Sequence, residues 1–216
     1  MRQYKEYTIF DNVTPQAITS STDATPIVIT KNSHGLSTGD KILIYGHATN
    51  VAANGLYKIT KLTADTFSLQ DINTGANIAG SGAGAGGATG IFVTAPKIIL
   101  AEDFRNIELF VATAGTATMT LNIAGSLGKN TPTVHGDTPN FGATVTESNP
   151  YTFLQVIDLD SGSAYNGSTG IALTGSSTYT NGSYEVNINA IKYITVFPVS
   201  WTQGSVTIKM KLFNNL

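Results

Sequence analysis

The side chains best suited to metal binding or acid–base work are three histidines, His34, His47 and His135. A three-imidazole metal site also needs carboxylates or carbonyls to orient the rings, and spacing places none beside them. His34 lies in Asn32-Ser33-His34-Gly35 and reads as a residue that hydrogen-bonds that turn. Ser33 beside it lacks the Gly-x-Ser-x-Gly elbow that exposes a nucleophilic serine. Asp158-Leu159-Asp160-Ser161-Gly162 sets two carboxylates two residues apart, as a calcium loop begins. The sixth-position Gly and the later bidentate Glu are missing, so a strand-end turn is the favoured reading. No pair of carboxylates is marked for glycoside hydrolysis. Trp201, with Tyr193 and Phe197, has the chemistry of a sugar-stacking platform, but core or interface is the favoured reading. The Gly-rich tract 75–90 raises phosphate cradling; no Lys-Ser/Thr and no helix signal follow it. With no cysteine there is no disulfide, thiolate zinc site or thiol nucleophile. These readings leave no catalytic, cofactor-binding or metal-ligating residue, so the expectation is a non-enzyme without cofactor.

The elements that would carry these residues are strands. Of the 216 residues 41% are hydrophobic, enough for one large β domain or two small ones with real cores. Charged residues are only 12%, about half the usual globular share. Net charge is −2 with no Lys/Arg run, so the electrostatic footprint of nucleic-acid binding is missing. No apolar run reaches membrane-spanning length, and residues 1–6 are too polar to open a signal peptide. The expectation is a protein folded in a cytoplasm, with no nucleic-acid and no membrane partner.

Along the chain, 4–10 alternates as a strand that Asp11-Asn12 ends, and 13–25 reads as loop or edge strand. Residues 27–71 are short β-rich runs divided by Asn32-Ser33-His34-Gly35, Asn54-Gly55 and Thr63-Ala64-Asp65, the pattern of a small antiparallel barrel. In 75–90 seven of sixteen residues are Gly, which predicts a mobile loop or linker. Further on, 107–111 is expected to turn at Ala114-Gly115 into 118–123. There Met119, Leu121 and Ile123 share one face, and Thr118, Thr120 and Asn122 the other. Segment 129–140, with Pro132 and Pro139, predicts a long surface loop. Strands are expected at 153–159, 170–173, 184–188, 191–199 and 205–213. The last sets Val206, Ile208, Met210 and Leu212 against Thr207, Lys209 and Lys211. Helical periodicity is absent, so the chain reads as all-β.

Two stretches resemble known families. HGLSTGDKILIYG, NGLYKIT and ADTFSLQD, in that order, are similar to the barrel related to the first catalytic-cysteine half-domain of ubiquitin-activating enzymes. That barrel recurs in bacteriophage virion proteins. The chemistry of its namesake belongs to a cysteine elsewhere in that enzyme, and this chain has none, so the barrel is expected to serve as scaffold. RNIELFVATAGTATMTLNIAGS, NPYTFLQVIDLDSGSAYNGSTGIALTG and SYEVNINAIKYITVFPVSWTQGSVTIKMKLFNN resemble a β-sandwich common among phage structural proteins. In that family a strand ending in Phe-Asp opens the chain, as Ile9-Phe10-Asp11 does here.

The resemblance implies an antiparallel, jelly-roll-like β-sandwich from 1–23 and 97–216. It carries an inserted small barrel over 24–74 and a Gly-rich linker over 75–96. It further implies a virion structural protein, a decoration or head-fibre subunit bound to the major capsid protein on the capsid exterior. Homo-oligomerisation is expected, with a trimer as the first guess, through Tyr193, Phe197 and Trp201 or through Tyr4 and Tyr7. The rival expectations are a tail or neck protein and a carbohydrate-binding or depolymerase module acting on the host surface.

Overall fold

The computed structural model describes residues 4–85, 89–126, 151–174 and 180–214. The expected loop 129–140, with His135, lies outside them. Every strand pairing among the described residues is antiparallel, and one 3-10 turn, Val51–Ala53, is the single helical element there. The chain divides into two compact units, one holding Met1–Thr14 and the described residues from Pro96 onward, the other Pro15–Ala95. Strand β1 (Tyr4–Val13) belongs to the first unit. The second unit contains β2 (Gln16–Ala17), β3 (Ser20–Ser21), β4 (Val28–Thr30), β5 (Lys41–His47), β6 (Gly55–Lys61), β7 (Thr66–Asp71), β8 (Gly84–Ala85) and β9 (Thr89–Thr94). The chain then returns to the first unit with β10 (Ile98–Leu100), β11 (Asn106–Ser126), β12 (Tyr151–Phe153) and β13 (Val156–Asp158). It ends with β14 (Ala164–Tyr165), β15 (Ile171–Thr174), β16 (Thr180–Asn187) and β17 (Tyr193–Phe213).

The first unit is an antiparallel β-sandwich built on β11 and β17, each 21 residues long and paired from Asn106↔Phe213 to Ser126↔Tyr193. The expected turn at Ala114-Gly115 is therefore a bend, and 107–111 and 118–123 are one strand. So are 191–199 and 205–213. The ladder shifts between Ala114 and Thr118, where Gly115 (φ +73°) and Gly204 (φ +78°) both take left-handed backbone. A Cβ on Gly204 would lie 2.6 Å from Ala117 Cα. A bulged corner of this kind bends both strands without reversing either. On one side of the corner the sheet runs β1-β17-β11-β16-β13-β14; on the other β11 pairs with β15 and β12, and β17 with β10. Ile107, Leu109, Ile208 and Met210 before the corner, and Met119, Leu121, Ile194 and Val196 beyond it, are buried. Phe10 meets Trp201 edge-on at 6.3 Å, joining the two halves. Strand β1 runs on through Asp11-Asn12, which is a bulge and not an end. Asn12 (φ +49°) is held there by its N–H on Thr207 Oγ1 (3.0 Å) and by Ser205 Oγ–H on its Oδ1 (2.7 Å).

The second unit is one sheet in the order β2-β9-β5-β6-β7-β4-β3-β8. Its end strands β2 and β8 do not pair with each other, so the expected barrel is not confirmed, and its bounds of 24–74 are corrected to residues 16–94. Segment 16–21 reaches both flanks. Gln16 and Ala17 pair with β9, and Ile18 N–H bonds Gly90 O (3.1 Å). Ser20 and Ser21 pair with β4, and Thr19 N–H bonds Thr30 O (2.8 Å). The expected linker 75–96 is corrected as well, because β9 lies within the sheet between β2 and β5. Four of its glycines, Gly80, Gly82, Gly84 and Gly90, mark close approaches rather than slack. A Cβ on Gly80 would sit 2.8 Å from Asp23 Cα, one on Gly82 2.8 Å from Thr49 O, and one on Gly90 2.7 Å from His47 N. Ile27, Ile29, Ile42, Ile44, Tyr57, Ile59, Phe67, Leu69 and Phe92 form the core. Each such burial is worth about 1.5–3 kcal/mol.

Candidate functional site

The polar side chains that drew attention in the sequence are mostly committed to turns. Leu36 N–H donates to His34 Nδ1 (3.0 Å), which leaves the proton on Nε2 to donate to Thr63 O (3.2 Å). The ring stands edge-on to Phe67 at 5.1 Å, so His34 ties its own turn to the one before β7. Ser33 gives its N–H to Asp65 Oδ1 (2.7 Å) and is part of the same clasp. Asp40 accepts from Ser37 N–H (2.8 Å), and Asp71 from Asn73 and Thr74 N–H (2.8 and 2.7 Å). Asp158 accepts from Asp160 and Ser161 N–H (2.9 and 3.3 Å), and the Asp160 bond chiefly holds its carboxyl below the usual carboxylate range. The segment that began like a calcium loop is thus an Asx turn closing a strand end.

His47 anchors a second, buried network. Asn50 N–H donates to its Nδ1 (3.1 Å), and burial holds the imidazole pKa below its ordinary value. Its Nε2 has no hydrogen-bond partner among the described residues. Asn54 exchanges two bonds with the His47 backbone, both 2.9 Å. Asn50 Nδ2 reaches Ser21 Oγ (3.1 Å) and Thr22 O (3.0 Å), while Ser81 N–H donates to Asn50 Oδ1 (3.0 Å). These bonds fasten the Val51–Ala53 turn to the chain at 21–22 and 81. A Cβ on Gly84 would run into the His47 ring, so the cluster is packed shut and structural. Among the described residues no three His, Asp or Glu gather as metal ligands would.

Trp201 is buried and donates Nε1–H to Gln203 O (3.1 Å), and Phe197 is fully buried. Neither can serve as the contact surface expected of them. Tyr193 is half-buried, with the Lys192 ammonium 5.7 Å from its ring centre. Tyr4, by contrast, is 59% exposed.

One surface open to a partner is the outer face of β1-β17-β11-β16-β13 in the first unit. Alternation turns Ile208, Met210 and Leu212 inward and Lys209, Lys211 and Phe213 outward. Register then writes three rows across the strands. The first is Tyr4–Phe213–Asn106–Asn187, the second Glu6–Lys211–Glu108–Glu185–Ile157, the third Thr8–Lys209–Phe110–Ser183. Phe110 (39%) and Ile157 (45%) are exposed apolar members. Lys211 lies 5.3 Å from the centre of the Tyr4 ring. Within the described residues none of Glu6, Glu108, Lys209 and Lys211 has an opposite charge within 4 Å; the ion pair found there is Lys192–Glu102 at 3.3 Å. A shallow depression of about 350 Å³ runs over Lys209–Lys211, between Glu6 and Glu108. Charges of both signs beside exposed aromatics give this face the means of electrostatic complementarity to a surface of mixed charge.

The sequence showed Lys209 and Lys211 as one polar row, but not the glutamates beside them. Those belong to strands about a hundred and two hundred positions away, and only the register brings them alongside. No protein-family model matches the chain, and no curated protein matches it.

Proposed function

We propose that this protein is a non-enzymatic structural subunit of a bacteriophage virion, a head decoration or head-fibre protein on the capsid exterior. The setting rests on the resemblance of the three barrel segments and of the sandwich segments quoted above. The mode of action rests on one observation: a single sheet face of the first unit brings the exposed aromatics Tyr4 and Phe110 together with Glu6, Glu108, Lys209 and Lys211, while the buried histidine and the turn carboxylates serve the fold. A protein of this kind acts by shape and contact, with the major capsid protein as partner. The host-glycan reading draws no support from Trp201 and Phe197, both in the core.

Co-sedimentation tests it. The purified chain, mixed with empty capsids of the phage that encodes it, is expected to pellet at a fixed ratio to the capsid protein. Chain that stays in the supernatant, or that pellets only with tails, overturns the head assignment.

A further inference from the structure

The sheet face just described is complementary to itself. Strand β1 presents Tyr4, Glu6 and Thr8 outward, and its neighbour β17 presents Phe213, Lys211 and Lys209 directly opposite them. A two-fold axis parallel to the strands, above the gap between β1 and β17, exchanges these two columns while keeping the rows in step. Tyr4 then faces Phe213 of a second copy, Glu6 faces Lys211, and Thr8 faces Lys209, each contact made twice. No row sets like charges against each other in this arrangement. We infer that this face binds a second copy of the same chain, as an isologous dimer about that axis.

Three observations favour this occupant over another. Both charge signs occur on the face in adjacent columns, so it is complementary to its own copy and not to a uniformly acidic or basic surface. The charges have no ion-pair partner within 4 Å among the described residues and are free to take one. Tyr4, more than half exposed, supplies the aromatic anchor that contact surfaces favour. A threefold ring would need two different patches per chain, whereas this single patch satisfies both sides of a two-fold contact. The inference therefore replaces the trimer guess with a dimer. It deepens the proposed function by naming a second copy as the partner of the β1 and β17 columns; the β11, β16 and β13 columns, with Glu108, Phe110 and Ile157, lie outside the two-fold contact and stay open to the capsid protein.

Light scattering over a concentration series tests it with the full chain, K211E, E6K, the double swap E6K/K211E and the control K61E. The expected mass of the wild type and of K61E at high concentration is twice the 22.7 kDa of one chain. Each single reversal is expected to weaken the dimer by about tenfold or more, and the swap to return it to within about threefold. Raising the salt should weaken the wild-type dimer. Thermal melting of each variant at low concentration separates lost association from lost folding. A wild type that stays monomeric, a threefold mass, or a dimer indifferent to K211E and E6K overturns the inference. A dimer from a chain that fails to pellet with capsids upholds this inference and removes the virion setting; a monomer that pellets does the reverse.

Discussion

At the scale of single residues, the fate of the polar groups decides between chemistry and structure. Asp40, Asp71 and Asp158 each accept backbone N–H groups in their own turns, as does His34, while Asp65 accepts the Ser33 N–H of the His34 turn. The sequence reading of His34 and of Asp158-Leu159-Asp160 anticipated this, because turn residues carry their partners within a few positions. His47 was not legible in the same way. Its partners Asn50 and Asn54 are near in sequence, but the ring is enclosed by Gly84, and composition does not tell a glycine that yields space from one that gives slack. Gly84→Ala is expected to destabilise the second unit by about 1–3 kcal/mol, since the new methyl must displace a buried ring. An unchanged urea midpoint would contradict the packed reading. The same ring sets a pH dependence. With its folded-state pKa held below the ordinary value, the unfolded chain takes up the proton first as pH falls. Stability is therefore highest above the ordinary histidine value of about 6.5 and declines below it, until the folded ring also protonates. Denaturation at pH 7 and pH 5 should show this loss, and His47→Gln should reduce it. An equal pH 7 to pH 5 loss in the variant would place the effect elsewhere.

At the scale of elements, period-2 alternation made the strands legible while their connections stayed hidden. Met119, Leu121 and Ile123 are buried as their alternation required, and so are Ile208, Met210 and Leu212. Gly115 was read as a hairpin turn because a glycine signals left-handed backbone without saying whether the chain reverses. What settles it is Gly204, whose own left-handed backbone lies across the corner against Ala117. The Gly-rich tract misled for a related reason, since β8 and the start of β9 are recognisable only once β3 and β5 are in place beside them. Gly204→Ala combines a left-handed alanine, about 1–2 kcal/mol, with the clash at Ala117. Gly162→Ala, at φ +70° with nothing within 4 Å, carries the backbone cost alone. Urea unfolding should rank Gly204→Ala as clearly the more destabilising, and equal losses would refute the corner.

At the scale of the whole molecule, two antiparallel units account for the described residues, and the all-β reading follows directly from the alternation and the missing helical period. The outer face of β1-β17-β11 was half legible. Tyr4 and the Lys209–Lys211 row stood out, while Trp201 and Phe197, which read as core or interface, are core; aromatic content alone does not say which side of a strand faces water. The central claim is that the chain works by its surface on the outside of a phage head. Imaging purified virions with a gold-labelled antibody raised against the chain tests that claim most directly. Label arrayed around the outside of the head is the predicted result; label confined to tails, or absent from the particles, would contradict it.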